Sequence, residues 1–311
     1  MFDLDGFWVW DFWLADEGAT YHLFFLHAPR SLPDSDQRHD HARIGHAAGK
    51  DLRRWTRLRD PMPEPRQGFD DLAQWTGCTV HDGEQWWLFT TGRTVADAGR
   101  VQRIGSARSL DLVTWERTGL VLVADPRWYD VGQGMVHWRD PWVVRDAAGT
   151  WHLYATARTG GPGSGVVGHA ISEDLRTWEV RPPLSEANGR FEWLEVIQVV
   201  EVEGRWVALF NCLSAEMPGA PAGVGGIWTV PVAGPGAPVD VVAAVRLADE
   251  ASYVGKVAVD RGGRWQLLAF RNLDAGGRFV GGIADPVPIA WRADGRGLEM
   301  RSSGGVGDSL L

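Results

Sequence analysis

The chain contains an internal repeat of about 60 residues, which restricts its fold more than any other feature. Five segments consist of a turn followed by an aromatic and aliphatic run, and their reference residues are Tyr21, Trp86, Trp151, Trp206 and Trp265. Each step along this series is long enough for a four-stranded antiparallel sheet with its turns. Small sheets repeated radially form β-propellers.

A second set of segments interleaves with the first: "GHAAGKDLRRW" (45–55), "GSARSLDLVTW" (105–115) and "GHAISEDLRTW" (168–178). Their shared Asp-Leu pair is predicted to lie in solvated turns before the outermost strands. Five units of about 60 residues account for nearly all of the 311 residues. The sequence therefore predicts an all-β, single-domain, five-bladed β-propeller over 1–311, with blades near 5–60, 70–122, 134–185, 190–238 and 249–300.

Composition narrows the range of partners. The net charge is −9 and the 31 basic residues are scattered, which argues against binding to nucleic acid or to an anionic membrane surface. No apolar run approaches the roughly 18 residues of a membrane span, and the start "MFDLDGFW" is unlike a secretory signal. We expect a cytoplasmic protein with a neutral or weakly charged small-molecule partner, reduced core cysteines at Cys78 and Cys212, and neither a metal site nor a cofactor.

Three acidic residues occupy equivalent places in the repeat. The strand before each reference residue is predicted to be the innermost of its blade, and Asp11, Asp140 and Glu195 lie ten or eleven residues before their reference residues. The corresponding positions in the second and fifth blades hold Thr76 and the vicinity of Tyr253. Three acids at one level of the central axis would meet in a single funnel. Such an arrangement costs stability, so it is expected only where it serves chemistry.

Carboxyl groups that flank a bond are the usual apparatus of glycoside hydrolysis, in which one is ionised and the other is a general acid. A third can bind sugar hydroxyls. On this basis Asp11 is the predicted nucleophile. In the fourth blade Glu192 is the alternative to Glu195. The two residues would face opposite sides of one strand, so only one of them can point toward the axis. The eleven-residue spacing favours Glu195.

Several motifs resemble glycoside hydrolase families 32 and 68, the five-bladed fructosidases and fructosyltransferases. "YHLFFLHAP" (21–29), "GHAAGKDLRRW", "WTGC" (75–78) and "RDP" (139–141) are similar to family 32 motifs, and "VWDFW" (9–13) is similar to the family 68 form. The resemblance implies a retaining mechanism on β-fructofuranosides such as sucrose or short fructans, with transfer of the fructosyl unit as an alternative to hydrolysis. In it Asp11 attacks the anomeric carbon, Asp140 and Arg139 hold the sugar hydroxyls, and Glu195 is acid and then base.

The resemblance also implies a sugar site lined by Trp10, Trp75, Thr76 and Trp142. His137, two residues before Arg139, is either a further substrate contact or a strand histidine with internal partners.

The chain departs from the family 32 pattern in three places. Glu195 is followed by Val196 and Ile197 instead of Cys-Pro, and Leu26 replaces a sugar-contacting glutamine. No C-terminal β-sandwich is expected after the fifth blade. Two alternatives stay open: an inverting arabinofuranosidase or xylosidase similar to family 43, and a carbohydrate-binding propeller without turnover.

Overall fold

The computed structural model describes residues 1–62, 68–132 and 134–301. In these ranges the strands form five four-stranded antiparallel sheets, each ordered along the chain from the innermost strand to the outermost. The architecture is a five-bladed β-propeller, which confirms the fold predicted from the repeat. Within the described ranges, no helix is long and apolar enough to cross a membrane.

The strands are named in chain order. The first three blades contain β1 Phe7–Asp16, β2 Tyr21–Pro29, β3 Arg43–Gly49 and β4 Thr56–Leu58; β5 Ala73–His81, β6 Trp86–Arg93, β7 Arg103–Ser109 and β8 Glu116–Leu122; β9 Trp138–Arg145, β10 Trp151–Arg158, β11 Gly165–Ser172 and β12 Glu179–Arg181. The last two contain β13 Glu195–Val202, β14 Arg205–Cys212, β15 Gly226–Pro231 and β16 Val245–Asp249; β17 Ser252–Val259, β18 Trp265–Arg271, β19 Val287–Trp291 and β20 Leu298–Met300. Short 3₁₀ turns span Ser35–His39, Val95–Asp97 and Ser214–Glu216.

The fourth blade extends beyond its predicted range of 190–238, because β16 ends at Asp249. The connection from β15 to β16 contains Pro235 and Pro238, and proline lacks the backbone N–H that a strand ladder needs. The outermost strand therefore starts only after this irregular segment.

The ring of blades closes between the fifth blade and the first. The innermost strands of successive blades contact one another all the way around, including β17 with β1. Phe2 and Ile283 exchange two backbone hydrogen bonds of 2.9 and 2.8 Å, and Gly282 N–H donates to the Val9 carbonyl at 2.7 Å. The first residues of the chain and β1 are thus hydrogen-bonded to the fifth blade.

Apolar side chains fill the spaces between neighbouring blades. Trp13, Trp87 and Trp138 are completely buried there, and Trp128 is the exposed exception among the 18 tryptophans. Cys78 and Cys212 are buried and unpaired, as expected. The core is therefore divided into layers between blades, which leaves the axis free for polar groups.

The recurring aspartates of the second motif lie in turns between the third and fourth strands. Asp51, Asp111 and Asp174 each accept hydrogen bonds from two backbone N–H groups of the following residues, at 2.7–3.0 Å. These bonds lower the pKa of all three carboxyl groups, that of Asp111 to about 2. The prediction that they are turn residues is confirmed.

Every innermost strand carries one extra residue relative to the second strand of its blade. The irregularities fall at Asp11, at Thr76 and beside Asp140, Val196 and Val254. The last three residues adopt left-handed backbone conformations with φ of 56°, 50° and 52°. Such conformations cost about 1–3 kcal/mol each and concentrate at functional sites. The five bulges therefore mark one level around the axis, and three of them have strained backbone.

The bulge of β5 depends on Gly77, since a Cβ at this position would overlap the carbonyl oxygen of Phe89. We expect Gly77→Ala to lower the free energy of unfolding by about 1–3 kcal/mol, as overpacking does. Denaturant titration measures this. Gly134→Ala is the control, because a Cβ there meets no atom within 4 Å. Equal stability of the two variants would show that the β5 bulge tolerates a side chain.

Candidate active site

A cavity of about 310 Å³ opens on the axis of the propeller. Its wall contains residues from all five innermost strands, which are Trp10, Asp11, Trp75, Arg139, Asp140, Glu195, Val196, Tyr253 and Val254. The three acids predicted to share a funnel therefore do meet in one cavity. This convergence follows from the equal depth of the five bulges.

Asp11 is the extra residue of β1, between Trp10 and Phe12. The hydroxyl of Thr76 donates a hydrogen bond to its Oδ2 atom. Burial, together with the charges of Asp140 and Glu195, raises the pKa of Asp11 to about 7 against the opposing effects of the Thr76 hydroxyl and the charge of Arg38. At neutral pH this carboxyl group is thus close to its midpoint of ionisation.

Asp140 has more polar partners than Asp11. Its N–H donates to Thr91 Oγ1 at 2.8 Å, while its Oδ2 atom accepts from Thr156 Oγ1 at 2.9 Å and lies 3.2 Å from Arg139 Nε. Burial raises the pKa of Asp140 to about 6, a rise that Arg139 limits. The two aspartates therefore differ chiefly in the ion pair with Arg139, which Asp140 forms and Asp11 does not.

Glu195 is held through both carboxylate oxygens. Oε1 accepts from Arg139 Nη2 at 2.7 Å, and Oε2 accepts from the Tyr253 hydroxyl at 2.8 Å. Its backbone carbonyl accepts from Asn211 Nδ2 at 2.9 Å. The side chain is consequently fixed in orientation, with Arg139 bridging Asp140 and Glu195.

Glu192 lies outside this cavity. Its carboxylate pairs with Arg158 at 2.6 Å and accepts from Gly163 N–H at 2.6 Å. Because β13 begins at Glu195, the two glutamates do not share a strand, and the argument that they face opposite sides of one is wrong. Glu192 instead binds the loop between β10 and β11 through Gly163.

Most of the other predicted site residues are found around the carboxyl groups. Trp10, Trp75 and Arg139 line the cavity. His137 also lines it, with its Nδ1 atom 2.9 Å from Arg139 Nη1, so it has both a cavity position and an internal partner. Thr76 contributes through its contact with Asp11.

Trp142 is the exception, and its predicted place in the sugar site is wrong. Its indole N–H donates to the Val199 carbonyl at 2.9 Å, and its ring lies 4.9 Å from Lys256 Nζ. Trp142 lines a separate cavity of about 340 Å³ with Gln198 and Lys256. Two residues of strand correspond to about 7 Å, so a side chain two positions beyond Asp140 lies below the level of the carboxyl groups.

Three charged or titratable residues of the cavity come from connections outside the repeat. Arg38 and His39 belong to the turn Ser35–His39, and Glu216 to the turn Ser214–Glu216. Burial and nearby arginines lower the pKa of His39 to about 3, so its imidazole is neutral. Burial and Glu195 raise the pKa of Glu216 to about 8. No periodic position identified these residues, because the connections differ from blade to blade.

Residues 13–224 match the model of the glycosyl hydrolases family 32 N-terminal domain. The chain belongs to glycosyl hydrolase family 32. It is a glycoside hydrolase, as the sequence predicts. A comparison with curated protein sequences finds no match.

Solved structures share the family 32 fold at low sequence identity. The inulosucrase from Halalkalicoccus jeotgali bound to kestose is 21% identical with a TM-score of 0.74, over 96% of this chain and 87% of that one. Fructan 1-exohydrolase IIa from Cichorium intybus is 18% identical with a TM-score of 0.73, over 97% of this chain and 59% of that one. Bacillus subtilis levansucrase is 15% identical with a TM-score of 0.72, over 96% and 87%.

The raised pKa of Asp11 makes this family 32 protein less stable as the pH rises. Below about pH 4 the carboxyl is neutral in both the folded and the unfolded chain. Between its ordinary value of 3.8 and about 7 only the unfolded chain ionises it, so the free energy of unfolding falls with pH until both forms are ionised. At about 1.4 kcal/mol for each pKa unit, the full loss is about 4 kcal/mol.

We therefore expect Asp11→Asn to raise the free energy of unfolding by up to about 4 kcal/mol near pH 8 and to change it little near pH 4. Denaturant titrations at both pH values test this. Asp111→Asn is a control of opposite sign, because the lowered pKa of Asp111 stabilises the fold above its unfolded pKa. A gain for Asp11→Asn that is independent of pH would contradict the electrostatic explanation.

Proposed function

We propose that this family 32 protein is a retaining β-fructofuranosidase that removes terminal fructosyl units from short, uncharged fructosides. The observation that carries the proposal is the meeting of Asp11, Asp140 and Glu195 in one cavity of a family 32 propeller. Support comes from proteins of the same fold, including the inulosucrase bound to kestose and the chicory fructan 1-exohydrolase.

In the proposed mechanism Asp11 attacks the anomeric carbon of the fructosyl unit. Its buried carboxylate lacks the solvation that water would supply, and positive charge that develops on the sugar ring compensates for this in the transition state. Asp140 lies in the same cavity and adds negative charge near that ring, while Arg139 and Asp140 offer a donor and an acceptor to sugar hydroxyls.

Glu195 has the role of general acid and then general base. It would protonate the leaving oxygen in the first step and remove a proton from water in the second. Arg139 and Tyr253 hold its two oxygens, so the carboxyl group does not need to be oriented during the reaction. Lys256 Nζ donates to the carbonyls of Val196 and Ile197 at 3.2 Å each, which supports the backbone directly after Glu195.

The size of the cavity favours short substrates and removal of end units. Its volume of about 310 Å³ is at the lower end of the range for ligand pockets, about 300–1,000 Å³. Such a volume suits one or two sugar rings. The lining also suits uncharged sugars, because the carboxyl oxygens of Asp11, Asp140 and Glu195 can accept hydrogen bonds from hydroxyl groups.

Proton NMR of the purified protein with sucrose, short and long fructans and an arabinofuranosyl oligomer tests the substrate class. We expect release of fructose from sucrose or short fructans, and no release by Asp11→Asn. In buffer with added methanol, a retaining enzyme yields methyl β-fructofuranoside, whose configuration is stable and can be read from the spectrum.

Three results would contradict the proposal. Release of arabinose with inverted configuration would indicate a family 43-type activity, and a methyl α-fructofuranoside would exclude retention. Turnover by Asp11→Asn near the wild-type rate would exclude Asp11 as the nucleophile.

The role of Glu195 predicts a dependence on the leaving group. We expect Glu195→Gln to lower kcat/KM on sucrose by about 10²–10⁴-fold, the usual contribution of a general acid. The loss on an activated aryl β-fructofuranoside should be much smaller, because that leaving group needs no proton. Glu192→Gln is the matched control, since Glu192 lies outside the cavity. Equal losses on both substrates would assign the proton to another group.

A further inference from the structure

Arg38 brings a buried and incompletely paired guanidinium group to the wall of the cavity. The residue is 9% exposed. Nη1 donates to the Ser35 carbonyl at 2.9 Å and to Asp36 Oδ1 at 3.1 Å. Nε is buried without a hydrogen-bond partner, and nothing in the described part of the chain accepts from Nη2. Nη2 therefore remains available to a ligand, whereas Nε lacks a partner and is closed off from solvent.

The internal partners of Arg38 do not compensate for its burial. A buried charge is costly unless it is paired and hydrogen-bonded. The Asp36 side chain is 83% exposed, so its attraction for the guanidinium is weakened by solvent. A group that the fold accommodates at such a cost, within a cavity of a glycoside hydrolase, is suited to bind a ligand.

Two aromatic rings hold the guanidinium in place. The Cζ atom lies 5.6 Å from the centre of the Trp10 ring and 3.8 Å from that of Phe279. Trp10 precedes Asp11 in β1, so Arg38 lies on the Asp11 side of the cavity, and its charge lowers the pKa of Asp11. The guanidinium is thus pre-oriented beside the proposed nucleophile.

An amide donor that the family resemblance leads one to expect is absent from the same side of the cavity. Leu26 lines it at the position where the family resemblance places a sugar-contacting glutamine, and leucine forms no hydrogen bonds through its side chain. Leu26 pairs with Trp10 in the β1–β2 ladder, so both residues belong to the wall beside Arg38. The missing donor and the unpaired donor therefore occur in one region.

We propose that Arg38 donates hydrogen bonds to a hydroxyl oxygen of the neutral sugar held over Asp11, and so replaces the donor that is absent at Leu26. The inference rests on the proposed function, in that the sugar is expected to be a fructosyl unit. A neutral hydroxyl is the partner, because the fructosides proposed as substrates carry hydroxyl groups and no charge.

Calorimetric binding of fructose, which is a product and is not turned over, tests the proposal in the full chain. We expect Arg38→Met to weaken binding by about 10- to 100-fold, the usual effect of losing a hydrogen bond from a charged donor. Its thermal stability should be unchanged or higher, since a costly buried charge is removed. Arg38→Lys should recover only part of the affinity, because the planar fork is lost.

Arg190→Met is the matched control. The Arg190 guanidinium also lies over two aromatic rings, 4.7 Å from Phe191 and 4.4 Å from Trp228, but it is outside the cavity. We expect this variant to bind fructose as the wild type does.

The outcomes separate this inference from the proposed function. Unchanged fructose affinity in Arg38→Met would overturn the inference alone, as would a loss of affinity that follows a loss of thermal stability and is fully restored by Arg38→Lys. Tighter binding of fructose 6-phosphate than of fructose, lost in Arg38→Met, would overturn the neutral partner. Binding of arabinose in place of fructose, weakened by Arg38→Met, would overturn the fructosidase proposal and keep the role of Arg38. Binding of neither sugar by the wild type would overturn both.

Discussion

One extra residue in each innermost strand is the constraint on which the site depends. Side chains alternate along a strand, so a shift of one residue reverses which of them face the axis. The bulges interrupt this alternation at one level and bring Asp11, Asp140 and Glu195 into the same cavity. Left-handed backbone at Asp140 and Val196 is the conformational cost of this placement. The buried tryptophan layers between the blades supply the rigidity that holds it.

Within that frame, a single guanidinium distinguishes the acids. Arg139 is buried between Asp140 and Glu195 and reaches both. Asp11 contacts the hydroxyl of Thr76, and the charge of Arg38 opposes its pKa rise only weakly, so burial raises its pKa to about 7 whereas that of Asp140 rises to about 6. Acids of nearly identical depth thus have different surroundings, the condition for giving them different chemical tasks.

The repeat made the fold and the acids predictable, because an equal distance from a reference residue means an equal depth in the propeller. That logic applies only to residues in the regular strands. Arg38 and Glu216 come from 3₁₀ turns in the connections between the second and third strands, whose lengths differ from blade to blade, so no regular spacing could reveal them. The prediction for Trp142 is wrong for a related reason. The motif shows that Trp142 directly follows the Arg-Asp-Pro element, but only the strand geometry shows that it lies below the carboxyl groups.

The fifth blade, where the family resemblance is weakest, supports Glu195 and the two residues that follow it. Its strand β17 contributes the Tyr253 hydroxyl to the carboxylate of Glu195 and the Lys256 ammonium to the carbonyls of Val196 and Ile197. Both contacts cross from one blade to the next, so the segment after Glu195 is stabilised from outside its own strand. The geometry of the acid therefore depends on the fourth and fifth blades together.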